Sequence, residues 1–143
     1  MRLIAVAAAL AILTSCTTAG STGGAVEVRT LAHDAFGASD TKQAVVAFDE
    51  PAYRLQWASL VGRDEQPPAV DFTREAAVFV MGGQYATGGY SVDVKGVTLE
   101  GETLVLDAAV EGPPAGSMTA QVITSPYAVI AVKSRSFKTL RWP

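Results

Sequence analysis

The chain has one cysteine, Cys16, and one histidine, His33. A thiol paired with an imidazole is a nucleophile with its base, the pairing that acyl transfer needs. His33 is followed by Asp34, so the residue types of a Ser-His-Asp triad are also present. No serine, however, stands in a G-x-S-x-G or comparable nucleophile context. A lone histidine at a strand end or loop reads as structural or solvated, and no catalytic residue is assigned. One histidine, one cysteine and scattered carboxylates give no zinc-ligand spacing, and no D-x-D-x-D-G calcium loop occurs. Gly82-Gly83 and Gly88-Gly89 do not fit the G-x-x-x-x-G-K pattern that cradles phosphate. The reading is a protein that is not an enzyme, with no metal, cofactor or small-molecule substrate.

Two other segments stand out for recognition chemistry. Met81 to Ser91 (M-G-G-Q-Y-A-T-G-G-Y-S) holds four glycines and two tyrosines between two predicted strands. Glycine permits positive φ and close backbone approach. The segment reads either as a hairpin loop built for turn geometry or as a recognition loop in which Tyr85 and Tyr90 supply rigid aromatic surface. Thr124-Ser125-Pro126-Tyr127 carries the same ambiguity, its proline marking a strand edge or bulge.

Cys16 has a separate explanation. Arg2 gives a positive start, and Leu3 to Leu13 is an apolar run too short for a bilayer, which takes roughly 20 residues. This is the design of a secretory signal. Leu13-Thr14-Ser15-Cys16 resembles a bacterial lipobox, which implies diacylglycerol on the Cys16 thiol, cleavage before it, and N-acylation. Residues 1–15 then form the signal peptide, 16–24 a lipidated tether, and 25–143 one domain. Thr17 in place of aspartate favours the outer membrane by the lipoprotein sorting rule, in a cell that has one. The expected location is the cell envelope, with the membrane held through Cys16. From Cys16 onward ten basic residues face fourteen acidic ones, a formal charge of −4 once Arg2 is removed. No basic patch stands out, which argues against nucleic acid as a partner. With the cysteine lipidated no disulfide remains, so stability must come from an apolar core.

Thr17 to Gly24 (T-T-A-G-S-T-G-G) is a flexible tether by composition. Val26, Val28 and Thr30 alternate with Glu27, Arg29 and Leu31, predicting a strand over 25–31; a loop spans 34–41 and a second strand 44–48. One amphipathic helix is expected at about 50–61. Asp49 or Glu50 can cap it, Pro51 suits its first turn, Gly62 can end it, and Tyr53, Trp57, Leu60 and Val61 share one face. Beyond Pro67-Pro68 everything reads as β structure. Ala76 to Met81 is continuously apolar, as in a strand buried on both faces. Tyr90, Val92 and Val94 alternate with polar residues until the phase slips at Gly96, the mark of a β-bulge. Glu100-Gly101-Glu102 turns the chain into a strand over 103–111. Further strands are expected over 119–124 and 127–133, and 137–142 as an edge strand or a tail. The fold class is α+β, mostly antiparallel β: six to eight strands in a sandwich- or barrel-like sheet with one helix.

Pro68-Ala69-Val70-Asp71-Phe72, a buried strand ending in glycine, Thr87-Gly88-Gly89-Tyr90-Ser91, Thr124-Ser125-Pro126-Tyr127 and Val129-Ile130-Ala131-Val132-Lys133 occur in an order that resembles the PrcB C-terminal domain family. The resemblance covers about 51–133, and T-G-G-Y is its most specific part. The family commonly has G-x-x-P-T-G-G-Y, and here Ala86 replaces the proline. The resemblance implies a non-catalytic lipoprotein that binds a partner protein, a secreted protease, and helps it mature or stay stable. It assigns no catalytic residue. As the expected partner-binding surface we take Tyr85, Thr87, Gly88, Gly89 and Tyr90 together with Ser125, Pro126 and Tyr127. A fainter similarity links T-G-G-Y to the T-T-G-Y loop of chagasin-type cysteine-protease inhibitors, so an inhibitor is one alternative expectation; an envelope lipoprotein with no protease partner is the other.

Overall fold

The computed structural model describes residues 23–62 and 65–143; Cys16 and most of the 16–24 tether lie outside them. Among the described residues are eight strands and one helix. The strands are β1 (Gly24–Ala25), β2 (Val28–Asp34), β3 (Lys42–Ala47), β4 (Ala76–Gly82), β5 (Ser91–Glu100), β6 (Thr103–Glu111), β7 (Tyr127–Val132) and β8 (Thr139–Arg141). They form two four-stranded sheets, β1-β5-β6-β8 and β2-β7-β4-β3, stacked as a sandwich rather than closed into a barrel. Helix α1 (Glu50–Gln56) covers the outer face of the second sheet.

The apolar runs explain this layering. In β4 and β7 every residue is buried. Alternate residues go to opposite faces of a strand. Ala76, Val78, Val80, Ala128, Ile130 and Val132 therefore meet Val92, Val97, Leu104 and Leu106 of the first sheet, while Ala77, Phe79, Met81, Tyr127 and Val129 meet the helix side. A two-faced central pair needs a cover on each side, and the first sheet and α1 supply them. The slip at Gly96 is a register shift between Val94 and Gly96 opposite β6, which returns Val97 and Leu99 to the inner face.

Asp49 caps α1 by accepting a hydrogen bond from the Ala52 N–H at 2.8 Å, and Gly62 ends the helical segment at φ 70°. Seven α-helical residues are too few to hold together alone in water. Packing of Tyr53, Trp57 and Val61 against the sheet supplies what the backbone lacks. The last part of the expected helix is a π-helical turn, Trp57–Val61, closed by the Gly62 N–H donating to the Trp57 carbonyl at 3.1 Å. At that turn the Leu60 carbonyl accepts from the Ala38 N–H at 2.8 Å, tying the loop before β3 to the helix end.

Two expectations are corrected. The strand expected over 25–31 is two strands in different sheets. The Val26 N–H donates to Val97 of the first sheet and the Glu27 carbonyl accepts from Lys133 of the second, so the chain crosses between the layers there. Thr119 to Thr124 forms no strand; only Thr124 makes an isolated bridge, to Tyr85, and Ala120 accepts from a loop N–H instead. As expected, pairing among the strands is mostly antiparallel; only the edge strand β8 runs parallel to its neighbour, β6.

The buried Tyr53 hydroxyl donates to the Pro68 carbonyl at 3.0 Å, fixing the segment that leads into β4. Burial, and then the Glu50 charge, push its pKa up to about 12, against an opposing pull from Arg29. A tyrosine whose folded pKa exceeds its unfolded value of about 10 contributes stability in full below pH ~10, and that contribution is lost as pH rises through about 12. In Tyr53→Phe the fall in stability across that window is expected to flatten. At neutral pH the variant should lose about 1 kcal/mol with the Pro68 bond. Urea titrations from pH 7 to pH 11 check both.

Candidate functional site

The two segments singled out in the sequence are built into each other. β4 ends as the Gly82 N–H donates to the Pro126 carbonyl at 2.8 Å. Tyr85 and Thr124 then exchange both backbone hydrogen bonds, at 2.8 and 2.9 Å. The Thr124 hydroxyl donates to the Thr87 carbonyl at 2.7 Å, and the Gly88 N–H to the Ala120 carbonyl at 2.9 Å. Gly89 adopts φ 90°, and a Cβ there would stand 2.9 Å from Pro113 Cβ. Glycine is thus required by both backbone and packing.

Tyr85 and Tyr90 stack with ring centroids 4.0 Å apart and planes inclined by 11°. The Tyr85 hydroxyl donates back to the Gly82 carbonyl at 3.1 Å. The pair is half-buried, a rigid aromatic wall at one end of the sandwich. Thr124, Ser125, Pro126 and Tyr127 are buried. Thr87, Gly88 and Gly89 are held by the bonds and packing just described. Of the expected surface, then, Tyr85 and Tyr90 offer partly exposed side chains, while Ser125, Pro126 and Tyr127 form the support.

A third segment joins them. Ser125 bridges Phe36 in parallel, with the Gly37 N–H donating to the Ser125 carbonyl and the Ser125 N–H to the Ala35 carbonyl, both at 2.8 Å. Asp34 Oδ1 caps this turn, accepting from the Ala35 and Phe36 N–H groups at 2.6 and 3.2 Å. That places His33 and Asp34 beside Tyr90 and Tyr127 around a cleft of about 210 Å³.

The surface residues at this end are ones the sequence reading missed. Phe36 is 55% exposed, Met118 102%, Val122 40% and Ile123 62%. They are four of the five exposed large apolar side chains among the described residues, the fifth being Leu55 on α1. All four lie on segments bonded to the T-G-G-Y loop or to Ser125. Val122 and Ile123 read as strand residues in the sequence, and an apolar Phe36 inside a polar loop was the only available signal. Among the described residues no group of three or more His, Cys, Asp or Glu side chains is placed to hold a metal ion. No helix among them is long and apolar enough to cross a membrane.

A family model described as PrcB C-terminal matches residues 76–133. The match runs from the first residue of β4 to the residue after β7, and contains both motif loops. No curated protein matches the chain, and no solved structure does. Over residues 76–133, less than half of its length, the chain is similar to the PrcB C-terminal domain family.

Proposed function

We propose that this protein is a non-catalytic binding module that docks a partner protein, a secreted protease, against the loop end of its sandwich, and that a lipid on Cys16 holds it to the envelope membrane. The similarity to the PrcB C-terminal domain family supports a role related to a protease-complex subunit. The observation that carries the docking surface is that Phe36, Met118, Val122 and Ile123 are exposed on segments hydrogen-bonded to Ser125 or to the loop that holds the stacked Tyr85 and Tyr90. Isolated exposed apolar residues are ordinary, whereas several gathered on interlocked loops beside rigid aromatics are the raw material of an interface centre.

The loop glycines and Thr87 are poor test positions because they also hold the loop together. Phe36 and Ile123 serve better, since surface substitutions away from buried contacts usually change stability by less than about 0.5 kcal/mol. The double variant Phe36→Asp/Ile123→Asp is expected to keep its melting temperature and to lose capture of a protease from native envelope extracts by at least about 30-fold, the scale of one hot-spot residue. Unchanged capture would remove this surface from consideration. Recovery of no protease by the unaltered protein would overturn the choice of partner.

A further inference from the structure

Among the described residues, one buried side-chain polar group has no partner. The Trp57 side chain is 5% exposed, and its indole N–H finds no acceptor. A buried donor left unpaired costs about 1–3 kcal/mol, so buried polar groups are nearly always satisfied. The other tryptophan shows the ordinary solution, Trp142 Nε1 donating to the Ala108 carbonyl at 2.9 Å.

Trp57 lines a cavity of about 280 Å³ with Leu31, Ala32 and His33 of β2, Glu65, Gln66, Pro68 and Tyr127. At ~30 Å³ per water this has room for several waters or a short piece of chain. The Pro68 carbonyl is already occupied by the Tyr53 hydroxyl. His33, Glu65 and Gln66 are exposed at the mouth, while Trp57 and Tyr127 are buried within. The cavity also sits where α1 gives way to the π-helical turn, which begins at Trp57 itself. Such turns inside helices are rare and frequently occur at functional sites.

We propose that this cavity binds a short extended peptide segment whose backbone carbonyl accepts the Trp57 indole N–H. Two features select a peptide. A carboxylate ligand would meet Glu65 at the mouth, whereas a neutral carbonyl would not. And β2 is the outermost strand of its sheet, so the backbone of Leu31–His33 has an edge with no strand beside it. An extended peptide satisfies both at once, adding to the edge while placing an acceptor against the indole.

The test uses the full chain labelled with ¹⁵N, whose spectrum contains two indole signals, Trp57 and Trp142. Titration with an acetylated, amidated Val-Thr-Val peptide is expected to shift the Trp57 indole signal and the Leu31–His33 amides saturably, leaving Trp142 in place. No saturable shift at Trp57, or equal shifts at both tryptophans, overturns the proposal. So does a Trp57 response to N-acetylglucosamine with none to the peptide. Trp57→Phe keeps an aromatic ring but removes the donor together with the pyrrole part of the indole. It should bind the peptide about five- to ten-fold more weakly, since one hydrogen bond is lost, while its melting temperature changes little, the packing lost with the smaller ring being offset by removal of the unpaired donor. Undiminished binding by Trp57→Phe would equally overturn it. None of these readouts depends on Phe36 or Ile123, so the outcome is separate from that of the loop surface.

Discussion

Replacing Cys16 by serine is expected to move the protein from the membrane fraction to the soluble fraction with its fold unchanged. Serine cannot form the thioether, and without it the lipidated N-terminus proposed here is not made. Each buried methylene is worth about 0.8 kcal/mol, one acyl chain gives only marginal anchoring, and two or three make attachment stable. The loss should therefore be close to all-or-none. The sequence places eight residues, Thr17 to Gly24, between Cys16 and Ala25. The chain enters the fold at β1, a two-residue edge strand paired with Thr98 and Leu99 of β5, in the sheet that does not contain the two-faced pair β4 and β7. Substitution at Cys16 should leave the melting temperature of the domain unaltered. Fractionation of cells expressing either form, followed by a detergent-free wash of the membranes, reads the difference. A serine variant that stays with the membrane would exclude lipid attachment at Cys16 as the anchor. If both forms remain in the soluble fraction, the leader has been misread as well. Anchoring also bears on binding, because confinement to a surface raises the effective concentration of the module for partners held there.

What was legible in the sequence was whatever depends on local chemistry or on a single periodicity. The unbroken apolar runs of β4 and β7 announced strands buried on both faces. The slip at Gly96 located a bulge to within a residue, and Asp49, Pro51 and Gly62 bounded the helical segment. Illegible features were those decided by distant parts of the chain. Val122 and Ile123 carry strand-forming side chains, yet their segment spends its bonds on the T-G-G-Y loop, leaving both exposed. Val26 and Val28 continue one alternation although the backbone changes sheets between them, because both still face the inter-sheet core. At the candidate site the composition of each loop was visible, but not that Thr124 would lock onto Thr87 or that Phe36 would lie beside Ser125. Periodicity says which face a residue takes; it does not say which loops meet.

Phe79→Ala is the substitution expected to damage the fold most. Phe79 lies in the middle of β4, wholly buried, opposite Val45 of β3 and Val129 of β7. Its ring sits 5.8 Å from that of Tyr53, with the planes inclined by 48°, so it is where the sheet carries the helix. Cutting a buried phenylalanine back to alanine costs about 3–5 kcal/mol, through lost transfer energy and the cavity that remains. The upper end is expected here. Tyr53 and Phe72, 5.6 Å apart, are themselves wedged under α1 and the Pro68 segment and have little freedom to collapse inward. For a domain of this size that corresponds to a fall in melting temperature of roughly 10–20 °C. Typical stabilities are about 5–15 kcal/mol, so much of the margin would go. Urea unfolding with an unchanged slope would confirm that the native state, and not the compactness of the unfolded chain, has changed. A loss below about 1 kcal/mol would mean that the helix layer is not packed on Phe79 as described. Partner capture provides a contrast: in Phe79→Ala it should fall only with the folded fraction, whereas in Phe36→Asp/Ile123→Asp it should fall while the protein stays folded. Measuring stability and capture on both variants separates the frame that holds the loops from the surface that they present.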